Sequence, residues 1–136
     1  MRSVLLVEDN RIDIINVQRA FRKNLLPNTL NVVRNGEEAL HFLRGDPFEG
    51  PKRPDFILLD LNMPAMNGTE LLAAMKADPK LRTIPVVVLS TSNEAGDRRT
   101  CFRLGAAGYF VKPLDFKELV EVIRTIALYW NLSELP

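Results

Sequence analysis

The sequence predicts an α/β protein: a five-stranded parallel sheet with helices packed on both of its faces. Two observations carry the prediction. Short continuous apolar runs alternate five times with longer segments whose apolar residues recur at helical spacing. One of those runs, Pro85-Val-Val-Val-Leu89, has no polar position at all, which suits a strand covered on both sides.

The first run, Ser3 to Val7, leads into a helical stretch from about Arg11 to Asn24, with Ile14, Val17 and Phe21 on one side and Pro27 beyond its end. Thr29 to Val33 is the second run. It reaches a helix over Glu37 to Leu43 through Asn35-Gly36, a turn signal. The glycines and prolines between Gly45 and Pro54 exclude regular structure and read as a surface loop. The third run is Phe56 to Leu59, followed by a helix from Gly68 to Ala77 with Leu71, Leu72 and Met75 as its apolar face, ending at Asp78-Pro79. After the Pro85 to Leu89 strand, expected to be central, come a helix around Ala95 to Leu104, the run Gly108 to Val111, and a last helix from Asp115 to about Tyr129. Parallel strands joined by right-handed crossovers make an open doubly wound sheet, and five strands fit the flavodoxin-like order 2-1-3-4-5.

Composition narrows the function classes. A chain of 136 residues, 46% hydrophobic and 26% charged, fits one compact domain with a proper core. Eighteen basic against 17 acidic residues leave a formal charge of +1, so no global field draws the chain to nucleic acid or to an anionic membrane. No apolar stretch approaches the roughly 18 residues of a membrane span. The single cysteine, Cys101, and the absence of a signal-peptide pattern point to the cytoplasm.

The informative residues stand where the strands end, because open α/β sheets bind ligands in the crevice outside the carboxyl ends. The first run stops at Glu8-Asp9, the third at Asp60, the fourth at Ser90 and the fifth at Lys112. Three carboxylates in one crevice repel each other unless a cation neutralises them. Oxygen ligands without nearby His or Cys suit Mg²⁺, with Mn²⁺ as the alternative. Lys112 and Ser90 add a cation and a hydroxyl for two oxygens of a transferring phosphoryl group, and Asp60 is the natural nucleophile.

These residues resemble a known family. Val4-Leu-Leu-Val-Glu-Asp-Asn10, Asp55-Phe-Ile-Leu-Leu-Asp-Leu-Asn-Met-Pro64 with Asn67-Gly68, Val86-Val-Val-Leu-Ser90 and Gly108-Tyr-Phe-Val-Lys-Pro113 are similar to the receiver domain of two-component response regulators. The resemblance covers essentially the whole chain. It implies that Asp60 takes a phosphoryl group from a sensor histidine kinase, with Glu8 and Asp9 as the acidic pair at the metal. It further implies a metal contact from the backbone carbonyl of Asn62, phosphoryl contacts from Ser90 and Lys112, and a switch formed by Ser90 and Tyr109. Lys112-Pro113 is expected to be cis, a form that proline makes accessible. Such a protein is not a multiple-turnover enzyme; it assists its own phosphorylation and dephosphorylation.

A narrower resemblance rests on the Gly45 to Pro54 loop, the pattern Glu8-Asp-Asn-Arg-Ile-Asp13 and the aromatic pair Tyr129-Trp130. It points to stand-alone regulators paired with bacterial phytochrome kinases. On this reading residues 1–127 form the receiver and 128–136 an extension. No output domain follows, and signalling passes through altered protein contacts to an unnamed target. The last helix carries more apolar residues than one sheet face buries, so a homodimer is expected through Val122, Ile126, Tyr129 and Trp130.

Other features carry little. His41 is expected to be solvated or capping, Cys101 a buried packing residue, and Arg98-Arg99 and Lys52-Arg53 solvated pairs rather than a DNA-binding signature. A nucleotide or flavin binder on the same fold would need a phosphate loop where this chain has Glu8 and Asp9. A phosphatase acting through an aspartyl phosphate commonly places a second acid where this chain has Asn62.

Overall fold

The computed structural model describes residues 2–45, 50 and 52–134. Among them, strands and helices alternate as β1 (Ser3–Val7), α1 (Arg11–Lys23), β2 (Thr29–Val33), α2 (Gly36–Arg44), β3 (Phe56–Leu59), α3 (Gly68–Ala77), β4 (Val86–Ser90), α4 (Ala95–Arg103), β5 (Gly108–Val111) and α5 (Phe116–Leu132). Every strand pair is parallel, and the order is β2-β1-β3-β4-β5. The flavodoxin-like fold expected from the sequence is therefore the fold adopted. β4 is an interior strand, paired on both sides with β3 and β5 and buried along its whole length as its composition requires, and β3 is the middle strand.

The period-two alternation of the strands divides the core between two faces. Leu5, Val7, Ile57, Leu59 and Val88 pack with α2, α3 and Cys101 of α4. Val4, Leu6, Phe56, Leu58, Val87 and Leu89 pack with Ile14, Val17 and Phe21 of α1 and with Leu119, Ile123 and Ile126 of α5. The helix starts are set by local chemistry. Asn10, Asn35 and Asn67 each place a side-chain oxygen 2.9 to 3.0 Å from the backbone N–H three residues on. At Asn67 the Glu70 carboxylate returns the bond to the cap's own N–H at 3.2 Å, completing a capping box.

The carboxyl-terminal region differs from expectation in its contacts. α5 runs unbroken from Phe116 to Leu132, so the expected extension from residue 128 begins within this helix. Ile126 is only 2% exposed and belongs to the core, and the Trp130 ring lies 5.7 Å from that of Phe56. Both therefore face their own domain, because the helix is long enough to reach the amino-terminal edge of the sheet and dock there. Val122 is half-buried against the same cluster, and only Tyr129 of the expected contact set is open, at 63% exposure. The last turn is held by the Arg2 guanidinium donating to the Ser133 carbonyl at 3.0 Å and by Asn28 and Asn131, whose amides exchange bonds of 2.8 and 2.9 Å. Half of the expected Gly45 to Pro54 loop, residues 46–49 and 51, lies outside the described residues.

Candidate functional site

The sheet register brings the predicted residues to one edge. Val7 pairs with Leu59, so Glu8 and Asp60, one position further along each strand, emerge side by side. Their backbones are fixed by ladder-like bonds: Glu8 N–H to the Val33 carbonyl at 3.0 Å and Asp60 N–H to the Val7 carbonyl at 2.9 Å. Across the sheet, Lys112 follows β5 and its N–H donates to the Ser90 carbonyl at 2.7 Å. Carboxylate oxygens of Glu8, Asp9 and Asp60 all lie within 4.8 Å of one another. Glu8 and Asp60 are buried, at 2% and 5% exposure.

Lys112 provides the counter-charge. Its Nζ donates to Glu8 Oε2 at 2.6 Å and to Asp13 Oδ2 at 2.9 Å, and it stands 3.6 Å from Asp60 Oδ1. One ammonium does not balance the acids around it. Burial pushes the Glu8 carboxyl up to about 7; the Lys112 hydrogen bond opposes this and the Asp60 charge adds to it. Burial also raises the Asp60 carboxyl, against the pull of Lys112 and a hydrogen bond from the Asn62 backbone N–H. For Lys112, burial works downward, but its bonds to Glu8 and Asp13 outweigh it and the ammonium is raised. The donor set thus has surplus negative charge, only hard oxygen ligands and no His or Cys among the clustered residues, which is the chemistry a small divalent cation satisfies. The residues fit such an ion.

Ser90 is fully buried, and its Oγ accepts from the Ser92 N–H at 3.2 Å. Tyr109 packs against the α2–α4 side of the core and donates its hydroxyl to the Ser92 carbonyl at 2.8 Å, while the Ser92 hydroxyl bonds to Asp97. The structure therefore connects Ser90, Ser92 and Tyr109 through one loop. The Lys112-Pro113 bond is trans, contrary to expectation, as are the other described peptide bonds. Trans is the lower-energy isomer of an X-Pro bond, and Lys112 reaches the acids without a change of isomer. His41 is exposed in the last turn of α2, outside this cluster, and Cys101 is buried as expected.

Asp13 was not among the residues the strand ends single out. It sits in the first turn of α1, reaches Lys112 across 99 positions of sequence, and is 35% exposed at its side chain. The available signal was the Asn10 cap, which fixes where the helix begins and so which side of its first turn faces the sheet.

Comparison with known proteins agrees with this geometry. The response regulator receiver domain family matches residues 4–124. The chain is similar to the probable methanogenesis regulatory protein FilR2 of Methanothrix harundinacea, 38% identical over 136 residues and covering 98% of this chain and 88% of that one. It is also similar to the response regulator Rcp1 of a Synechocystis species, 37% identical over 128 residues, 93% of this chain and 87% of Rcp1. A Mn²⁺-bound structure of Rcp1 superposes with a TM-score of 0.89 at 36% identity, covering 100% of this chain and 99% of that one. The phosphorylated cyanobacterial phytochrome response regulator RcpA gives a TM-score of 0.91 at 39% identity over 99% of this chain and 98% of its own. With that match across the sheet and its strand-end acids, the chain belongs to the response regulator receiver domain family and is a phosphorylation-dependent response regulator.

Proposed function

We propose that Asp60 is the phosphoacceptor and that a sensor histidine kinase is the donor. The observation that carries this reading is the convergence of three carboxylates within 4.8 Å, with the Lys112 ammonium 3.6 Å from Asp60. An Asp60 oxygen attacks the phosphorus of a phosphohistidine. The new O–P bond forms as the P–N bond breaks, and the imidazole leaves with the electron pair and takes up a proton. Glu8, Asp9, Asp60 and the Asn62 backbone carbonyl would hold a Mg²⁺ ion, which would neutralise phosphoryl charge; Mn²⁺ meets the same preference, and the existence of a Mn²⁺-bound form of Rcp1 supports a divalent ion. Lys112 and Ser90 donate to phosphoryl oxygens. Water later attacks phosphorus, the Asp60 O–P bond breaks and inorganic phosphate leaves, returning the carboxylate, so the chain assists both directions of its own modification without turning over an external substrate.

The similarity to RcpA supports a phytochrome kinase as partner. Output passes through protein contacts altered when Ser90 and Tyr109 respond to the phosphoryl group, and the site of action is the cytoplasm. A homodimer contact is assigned to the outer face of α5, where Leu128, Tyr129 and Leu132 are exposed.

Incubation with phosphoramidate and Mg²⁺ tests the central assignment. Wild type is expected to gain the mass of one phosphoryl group and Asp60→Asn none. Absence of the adduct in wild type, or its persistence in Asp60→Asn, overturns the reading.

A further inference from the structure

We infer that Asp13 is a positioning residue for phosphoryl transfer, holding the Lys112 ammonium where it meets the incoming phosphoryl group; this rests on Asp60 being the phosphoacceptor. An ammonium has three donors. Glu8 at 2.6 Å and Asp13 at 2.9 Å take two, and the next carboxylate oxygen, on Asp60, stands at 3.6 Å, beyond hydrogen-bond reach. The third donor is thus available to an oxygen that arrives at Asp60.

The two partners of Lys112 differ in kind. Glu8 belongs to the cluster that fits a cation, so its charge is shared with that ion; Asp13 does not belong to it. Asp13 is the lysine's own anchor. It is also firmly placed, because its N–H is capped by Asn10 Oδ1 at 3.0 Å and its neighbours Ile14 and Val17 are packed in the core. A lysine side chain has four flexible bonds and needs such an anchor when space is open beside it. That space exists: a 250 Å³ cavity borders Lys112, lined by Asp13, Asn16, Thr91, Leu114 and Phe116. Without the Asp13 carboxylate only Glu8, whose charge the cation site also claims, holds the ammonium away from it.

The test uses phosphoramidate and Mg²⁺ with four full-length proteins: wild type, Asp13→Asn, Lys112→Ala and the double variant, with adduct formation followed by mass. Asp13→Asn is expected to slow modification of Asp60 about three- to ten-fold, the range for one partly solvated charge-assisted hydrogen bond. In the Lys112→Ala background it is expected to cause no further slowing, since the group it positions is gone. Mg²⁺ affinity of Asp13→Asn, measured by calorimetry, is expected to stay within about two-fold of wild type, as suits a residue outside the ion's oxygen set. Equal slowing in both backgrounds, unchanged or faster modification in Asp13→Asn, or a ten-fold loss of Mg²⁺ affinity overturns the role. Wild-type adduct with an unaffected Asp13→Asn removes this inference alone, whereas no adduct in wild type removes the phosphoacceptor assignment and this inference with it.

Discussion

The Lys112 ammonium and the Glu8 carboxylate form a 2.6 Å ion pair that water scarcely reaches, yet the acid remains harder to ionise than in solution. The pair is a local compromise in a site with too many acids. Its pH dependence follows. The folded chain holds the Glu8 proton up to about pH 7, whereas the unfolded chain releases it near 4.5. Between those values the native state binds more protons, so stability of the metal-free protein falls as pH rises, by about 3 kcal/mol at most from this group. Asp60 is raised and acts in the same direction. The raised Lys112 contributes a stabilisation that is fully present throughout this window and is lost only in strongly alkaline solution. Urea melts in EDTA at pH 5, 6 and 7 are expected to show the decline, and Mg²⁺ to flatten it by competing with the proton.

Neutralising one acid while keeping its shape is expected to relieve the same crowding. Asp60→Asn should stabilise the metal-free protein by on the order of 1 kcal/mol in urea denaturation, while abolishing its response to Mg²⁺. A destabilised Asp60→Asn would show that its charge attraction to Lys112 and its bond from the Asn62 N–H outweigh the repulsion.

Gly68 is required by close approach. A Cβ there would lie 2.5 Å from the Asp60 carbonyl oxygen and 2.8 Å from the Leu61 Cα, both backbone atoms. Gly68→Ala is expected to cost about 2–3 kcal/mol and to slow modification of Asp60 by displacing its backbone. Gly36→Ala meets only the Met66 side chain, at 2.5 Å, which can rotate away. A cost nearer 1 kcal/mol is expected there, with the phosphorylation rate unchanged; comparing thermal melts and adduct rates of the two variants checks both claims.

Trp130→Ala separates docking on the chain's own domain from contact between two chains. Loss of the Phe56 contact is expected to lower stability by about 1–2 kcal/mol without changing the mass seen in light scattering. Tyr129→Ala is expected to do the reverse, since that ring is open to solvent. A reduced mass for Trp130→Ala would place this ring between chains.

How much of this was legible in the sequence varied with the kind of interaction. Strand ends were readable because alternation and length fix where a buried run must stop, so Glu8, Asp9, Asp60, Ser90 and Lys112 could be placed on one edge before any coordinates. The partner of Lys112 on α1 was not, since a contact between residues 13 and 112 depends on how a helix sits over the sheet. Ile126 and Trp130 misled for the opposite reason: surplus apolar residues signal that something is covered, not by what. Proline permits the cis form of Lys112-Pro113 without demanding it, and the structure takes the trans form.

One consequence of the strand order concerns packing. Asp60 ends the middle strand, β3, and a fully buried β4 separates it from β5, whose residues are half-buried or exposed. The sheet is therefore closely packed beneath the acids and more open at both margins, β2 and β5. The strands beside Asp60 are packed on both faces, whereas Tyr109 and Phe110 at the β5 margin are only half-buried. The acids thus rest on the most tightly packed part of the sheet, and its looser strands lie at the two edges.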